Sequence, residues 1–358
     1  MQDALASLVD QVRSATADRA PLQIRAGGTK DFYGNTPRGD ILDPRVLQGI
    51  VAYEPEELVI TVLAGTSLTE VEATLQAHGQ MLAFEPPHFG GSATIGGCVA
   101  AGLAGPRRAS FGYTYGSVRD FLLGARLLDG RGQVLSFGGT VIKNVAGYDV
   151  ARVLAGSLGI LGVIVDVSLK VLPRPVCEAT LRFEMDEITA LGTLNSWGGE
   201  PLPISASSWS GGTLTLRLSG AAAAVRSAAL RLGGEELQPA EADAFWRNIR
   251  EHTARFFAGS EPLWRLSLPS TAEPLELSAG QLIEWGGALR WLRASEPARE
   301  IRGRAQRLGG HATLFRGGDR SQGVFAPLTP ALATIHQRLK AQFDPQGIFN
   351  PGRMFEGL

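Results

Sequence analysis

The chain has 358 residues, with 34 Lys+Arg against 35 Asp+Glu and a formal net charge of -1. That balance gives no general attraction to nucleic acid or to an anionic membrane surface. The length suits about two domains at roughly 150 residues each. The 2 cysteines, Cys98 and Cys177, are far apart, which excludes a Cys-ligated iron–sulfur cluster, a Cys-rich zinc site and a disulfide framework; both are expected as buried apolar thiols. Glycine is in excess, with 45 Gly beside 44% hydrophobic and 19% charged residues, a composition too apolar for disorder. The glycines therefore serve folded backbone.

In chain order, the N-terminal stretch MQDALASLVDQVRSA lacks the cationic start and apolar run of a signal peptide. It predicts instead a helix with Leu5, Leu8, Val9 and Val12 on one face, in a cytoplasmic protein. Residues 22–25 read as a strand entering the turn Ala26-Gly27-Gly28-Thr29. Residues 58–63 read as a buried strand, after which Ser67 and Glu70 form a capping-box pattern for a helix carrying Leu68, Val71 and Leu75 and stopped by Gly79. Runs 122–128 and 133–137 flank Asp129-Gly130-Arg131-Gly132, which predicts an antiparallel hairpin. The apolar run 153–165 is too short to cross a bilayer. A third strand-like run, 161–172, ends at Pro173 and Pro175, where the domain boundary is expected. Beyond it lie all 6 Trp. Strand-like runs 213–218 and 263–268 alternate there with helical runs 221–232 and 242–257, compatible with an α+β domain. The tail predicts a helix with Leu332, Ile335, Leu339 and Phe343 on one stripe, then the turn-rich ending DPQGIFNPGRMF.

Four segments concentrate the glycine. IRAGGTKD, 24–31, ends a strand in two residues without Cβ, so that successive amides can hold a phosphate oxygen with Lys30 adding charge; an ordinary Gly-Gly turn fits the same residues. GGSATIGGCVAAGLAGPRR, 90–108, has no charge before Arg107 and is too small-sided for a core layer, so its backbone approaches a large flat group or another backbone. KNVAGYD, 143–149, and GSLGILGVI, 156–164, add a polar turn and glycines three apart within an apolar run. No G-x-G-x-x-G is present, since Gly130 and Gly132 are followed by Leu135, and no Lys stands in a Gly-Lys-Ser/Thr. A Rossmann site and a P-loop are thereby disfavoured.

Taken together and in this order, these segments resemble the FAD-binding domain of the vanillyl-alcohol oxidase / p-cresol methylhydroxylase (PCMH-type) flavoprotein superfamily. The match runs from about residue 20 to 175 and includes the tail. Within the superfamily, AGPRR at 104–108, VIKNVAGYD, WGGALRWL at 285–292 and GGHATLFRG are similar to the FAD-binding subunits of bacterial glycolate oxidases (glycolate dehydrogenases). The resemblance implies an α+β protein with three parts: a two-subdomain FAD-binding domain over 1–175, an α+β cap over 176–325, and a segment 326–358 returning to the FAD domain. It implies that Arg25, Ala26, Gly27, Gly28, Thr29, Lys30 and Asp31 cradle the FAD pyrophosphate, and that Ser92, Ala93, Thr94, Gly96 and Gly97 run along the diphosphate and flavin. Tyr113, Gly116, Arg119 and Asp120 would close the site. Gly159, Gly162, Val163 and Ile164 would border the adenine, and Asn350 and Arg353 would come near the flavin. Thr29 stands where covalent members carry His, so FAD is expected to be noncovalent.

The implied function is that of an FAD subunit oxidising glycolate or D-lactate to the 2-oxo acid. Electrons would pass to a second FAD subunit and an iron–sulfur subunit, with no nucleic acid, no membrane span of its own, and any inner-membrane contact made through partners. The alternative is an electron-relay or assembly subunit that carries FAD without a substrate site. Two departures bear on that choice. The five histidines, His78, His88, His252, His311 and His336, have no metal-ligand spacing, so no metal is expected, and Leu158 replaces the Glu of the relatives' Gly-Ser-Glu-Gly. A 2-hydroxy acid would need an Arg on its carboxylate and a base for its hydroxyl. Arg107, Arg108 and Arg290 are the candidates for the clamp and His311 for the base.

Overall fold

The computed structural model describes residues 2–108, 116–139, 149–275 and 280–358. The N-terminal lobe is built on a five-stranded antiparallel sheet in the order Ile50–Glu54, Val59–Leu63, Val163–Lys170, Leu122–Leu128, Val134–Gly138. The Leu122–Leu128 and Val134–Gly138 pair is the antiparallel hairpin expected around Asp129. That carboxylate holds the turn by accepting from the Arg131 and Gln133 amides, each at 2.9 Å. Strand alternation sends Val163 and Val165 to one side, against Leu8, Val12 and Ala15 of the helix Gln2–Asp18. Ile164 goes to the other side, with the helices Leu68–Ala77 and Ile95–Ala101. The helix after residue 67 forms through Leu68, Val71 and Leu75, all buried, but not through a capping box. Ser67 occupies the cap position without a side-chain cap bond.

A separate parallel pair joins Leu22–Ile24 to Asp40–Leu42. The tail completes it: Phe349 bridges to Leu22 in parallel, Leu22 N donates to Ile348 O at 2.7 Å and Asn350 N donates to Leu22 O at 2.8 Å. The helix Pro330–Phe343 delivers this tail. The expected apolar stripe is only half used, because Leu332 and Ile335 are 46% and 52% exposed, and the helix is buried at its C-terminal end through Phe343 and Lys340. The Lys340 ammonium donates to Ile160 O at 2.8 Å, Phe349 O at 2.7 Å and Asp344 Oδ2 at 2.7 Å, which ties the glycine run to the tail.

The second sheet has eight antiparallel strands made of two similar halves. In the first, strands Cys177–Glu184, Ile204–Ser210, Thr213–Gly220 and Glu235–Glu236 lie in the order 4-1-3-2, with helices Glu187–Gly198 and Ala222–Leu232 on one face. This is the split βαβ arrangement. In the second half Leu263–Ser267, Gln281–Glu284, Leu289–Arg293 and His311–Arg316 repeat the order, with helix Ala298–Arg307 behind. The halves join where Ile204–Ser210 pairs with Gln281–Glu284. The opposite face looks toward the N-terminal lobe and also receives the helix Pro239–Arg250, through Trp246 and Ile249. In the first half it carries Arg217 and Ser219, and in the second Leu263, Leu282, Leu289, Trp291 and Phe315 pack against Tyr33, Ala101 and Leu103. Of the two cysteines, Cys98 is buried and Cys177 only partly so.

Candidate functional site

One cavity in the N-terminal lobe brings three of the glycine segments and the tail to a common wall. It encloses about 870 Å³ including its open mouth and is lined by Arg25, Ala26, Gly27, Gly28, Thr29, Lys30, Asp31, Thr94, Gly96, Gly97, Gly159, Gly162, Ile164, Asn350 and Arg353. Much of the glycine there serves chain-on-chain packing. A Cβ on Gly27 would sit 1.6 Å from Ser92 O, one on Gly96 would sit 2.6 Å from the Ala64 Cβ, and one on Gly102 would sit 2.8 Å from Gly156 Cα. Ser92 adds a bond of its own, Oγ donating to Gly27 O at 2.7 Å. The bare backbones thus pull separate segments together, and the space left between them is the cavity. Gly97 is different. It is exposed, and a Cβ there would meet only Thr94 Oγ1 at 3.1 Å, so its open side faces the cavity.

Three cations line the cavity. Arg25 pairs with Asp31 at 2.6 Å, and Arg353 donates to Asp31 O at 3.0 Å and to Asn35 O. Burial, with Arg320 nearby, lowers the Arg353 guanidinium to about 10, partly offset by Asp31, so it stays charged at neutral pH. Lys30 donates to His88 O at 3.2 Å and lies 5.5 Å from the Phe89 ring centre, and burial lowers its pKa too. Asn350, at φ 41°, spans two walls: its Oδ1 accepts from Ile24 N at 2.8 Å and its Nδ2 donates to Leu158 O at 2.6 Å. Leu158 itself is held at φ 50° and lines the cavity with Ala64, Ala100 and Ala101, residues that glycine counting does not reveal. Cations, backbone amides and small apolar walls together fit a dinucleotide with two phosphates and flat rings.

Not every expected residue lies on this wall. Ala93 is buried behind it, its carbonyl accepting from Leu68 N at 2.8 Å, Ser92 turns to Gly27, and Val163 faces the opposite side of its strand. Asp120 is spent on the turn before its own helix, accepting from Ser117 N at 2.7 Å and Oγ at 2.8 Å, and neither it, Gly116 nor Arg119 lines the cavity. Tyr113 and nearly all of the 143–149 segment lie outside the described residues.

The four catalytic candidates are dispersed, and none reaches the cavity. Arg290 alternates with Leu289 and Trp291, so its side chain leaves the lobe-facing side of the sheet. Fully buried, it donates to Glu273 O at 2.6 Å and to Ala272 O. Arg107 is buried in an ionic network, 2.8 Å from Glu178 and 3.8 Å from Glu85, while Glu85 also pairs with Arg217 at 2.9 Å. Arg108 lies over Trp285, 4.4 Å from the ring centre. His311 is exposed at the start of its strand, opposite Ser267. Among the described residues no group of three or more His, Cys, Asp or Glu is placed to hold a metal.

A family model described as an FAD binding domain matches residues 4–150. The chain is 48% identical over 352 residues to the glycolate oxidase subunit GlcE of Escherichia coli (strain K12), covering 98% of this chain and 97% of that one. The chain belongs to the glycolate oxidase subunit GlcE family. It is also 30% identical over 174 residues to the glycolate oxidase subunit GlcD of Bacillus subtilis (strain 168), across 48% of this chain and 36% of that one. That second likeness is partial. Among solved structures, an alkyldihydroxyacetonephosphate synthase superposes with a TM-score of 0.67 at 14% identity, over 96% of this chain and 74% of the other, which shows the fold. The GlcE-family chain is thus an α+β flavoprotein with the PCMH-type fold, and FAD is its cofactor.

Proposed function

We propose that the chain is the FAD-dependent 2-hydroxy-acid dehydrogenase subunit of a glycolate oxidase complex, acting on glycolate or D-lactate. In this reading FAD lies noncovalently in the cavity of the N-terminal lobe. Arg25, Lys30 and Arg353 face its phosphates, the amides around Gly27 and Gly28 and the open side of Gly97 lie along it, and residues 176–325 form the cap. Bound there, FAD supplies a two-electron acceptor. The chain's own residues bind and orient it: the Asn350 side chain keeps two cavity walls together, and the apolar wall of Ala64, Ala100 and Leu158 keeps water from the rings. The observation that carries the reading is the convergence of glycine-built backbone and three cations on a single cavity.

A second FAD subunit is the expected partner, and an iron–sulfur subunit the expected next carrier, since two separated cysteines cannot ligate a cluster. No helix among the described residues is long and apolar enough to cross a membrane, so membrane attachment in this reading comes through partners and the chain is cytoplasmic. A pure electron-relay role draws support from the dispersal of Arg107, Arg108, Arg290 and His311. Purifying the chain by itself separates these readings. A yellow protein whose flavin is bleached anaerobically by glycolate or D-lactate is expected; a colourless chain refutes FAD binding, and a yellow chain that stays oxidised in both acids establishes the relay.

A further inference from the structure

A second cavity opens where the cap sheet meets the N-terminal lobe, and its polar groups are ones that the cofactor cavity does not use. Along Leu263–Ser267, alternation sends Leu263 and Arg265 toward the lobe and Trp264 and Leu266 toward the rear helix. Arg265 and Glu284 reach the cavity from the sheet. His252 reaches it from the turn after the helix Pro239–Arg250, and Phe89, Trp291 and Phe315 supply aromatic walls. The space is about 300 Å³ including its mouth. It adjoins the cofactor cavity, because Phe89 lines this cavity and its ring centre is 5.5 Å from the ammonium of Lys30, which lines the other.

Two of its polar groups are unfilled. Arg265 makes no hydrogen bond or ion pair among the described residues; its guanidinium lies 5.3 Å from the Trp285 ring centre. The Nδ1 of His252 is buried without a partner, although its ring is tightly held, stacked on Phe257 at 4.0 Å and edge-on to Trp291 at 4.6 Å. Glu284 does not neutralise Arg265. Burial, together with Glu85 nearby, raises its carboxyl to about 8 against the opposing effects of the Trp291 bond and Arg265, so at neutral pH it is mostly the acid. His252 is pushed well below its ordinary value by burial and by Arg316 and Arg265, so its ring is neutral and one nitrogen accepts. An uncancelled guanidinium fork in a small aromatic cavity calls for a planar anion.

We propose that this cavity binds a small organic carboxylate, the 2-hydroxy acid of the reaction, with Arg265 gripping the carboxylate and His252 Nδ1 accepting a hydrogen bond from its hydroxyl. The assignment rests on the reading of the chain as a 2-hydroxy-acid dehydrogenase, and it gives the chain a substrate site of its own. Arg265 and His252 line this cavity, whereas Arg107, Arg108, Arg290 and His311 do not.

The test is an equilibrium titration of the full chain with oxalate, a carboxylate that cannot be oxidised by loss of a hydroxyl-bearing C–H, read by the fluorescence of Trp285 and Trp291. A saturable response is expected in the wild type. Arg265→Met should weaken it roughly 30-fold or more, as truncating one partner of a buried charge pair does. Arg265→Lys, which keeps the charge but loses the fork, should weaken it about fivefold. In anaerobic competition against oxalate, glycolate should bind better than acetate by about fivefold, and His252→Phe, which keeps a ring to stack on Phe257 but has no acceptor, should erase that preference. Equal oxalate affinity in the wild type and both Arg265 variants overturns the site, as does a wild type that shows no response. The flavin spectrum of the same samples is a separate readout: a chain without flavin counts against the proposed function, while the oxalate titration still decides the cavity.

Discussion

The two cavities on either side of Phe89 are built from opposite materials. The cofactor cavity is shaped by backbone, with glycines letting three segments touch and the amides between them left free. The junction cavity is shaped by side chains, with Arg265, Glu284 and His252 arriving from separate elements. A backbone-built site tolerates no added atoms where its segments touch, but changes little with pH. A side-chain-built site accepts isosteric change and carries titrating groups whose environment sets stability.

The hardest way to break the first cavity is at the contact that closes it. Gly27→Val places a Cβ 1.6 Å from Ser92 O, a clash with backbone that no rotamer relieves. We expect a loss of more than about 4 kcal/mol and no retained FAD, checked by urea denaturation and by the flavin absorbance of whatever protein is recovered.

The junction should answer to pH instead, in two opposite windows. Glu284 is raised from 4.5 to about 8 in the folded chain, so the unfolded chain releases its proton first and stability falls as pH rises through that range. Glu284→Gln keeps an acceptor for Trp291 and removes this dependence. Relative to the wild type it should gain on the order of 3–5 kcal/mol between pH 4.5 and pH 8, read from urea midpoints across that range.

Glu85 is opposite in sign. Arg217 and Arg107 overcome burial and hold it down at about 2 from 4.5, so its contribution is complete above pH 4.5 and is lost as pH falls through the folded value. Because the network is largely buried, the wild type should lose at most about 3 kcal/mol from this group on acidification. Glu85→Gln should start less stable at neutral pH yet lack that decline, and parallel acid unfolding curves for the two proteins would refute the assignment.

The smallest effect separates folding from binding within the backbone-built cavity. Gly97→Ala adds a methyl whose nearest neighbour is Thr94 Oγ1 at 3.1 Å, inside a helix. Ala is favoured over Gly there by up to about 1 kcal/mol, so the melting temperature should hold or rise slightly while FAD dissociates faster, measured by flavin release on dilution.

The same contrast explains what could be read from residue order alone. The glycine segments announce themselves because a bare backbone at several separated stretches has few uses, and their order carries the resemblance to the PCMH-type fold. Even so, their immediate purpose differs in detail: Gly27 and Gly96 touch protein, and Gly97 has the open side. The junction could not be read in this way. In LWRLS and LRWLR the alternation is visible, but it leaves undecided which face looks at the lobe. That choice puts Arg265 in a cavity and Arg290 on backbone carbonyls. His252 is a lone histidine in the sequence, and only packing against Phe257 and Trp291 distinguishes it from His311.

The strand pairing of Leu22 with Phe349 also orders events in time. During synthesis the floor of the cofactor cavity, residues 22–31, leaves the ribosome long before Asn350 and Arg353, so the nascent lobe must wait with one wall missing while the whole cap emerges. Stable capture of the flavin is then a late event, and shortening the tail by the few residues that carry this latch would yield a chain with its sheets intact but its cofactor cavity unclosed.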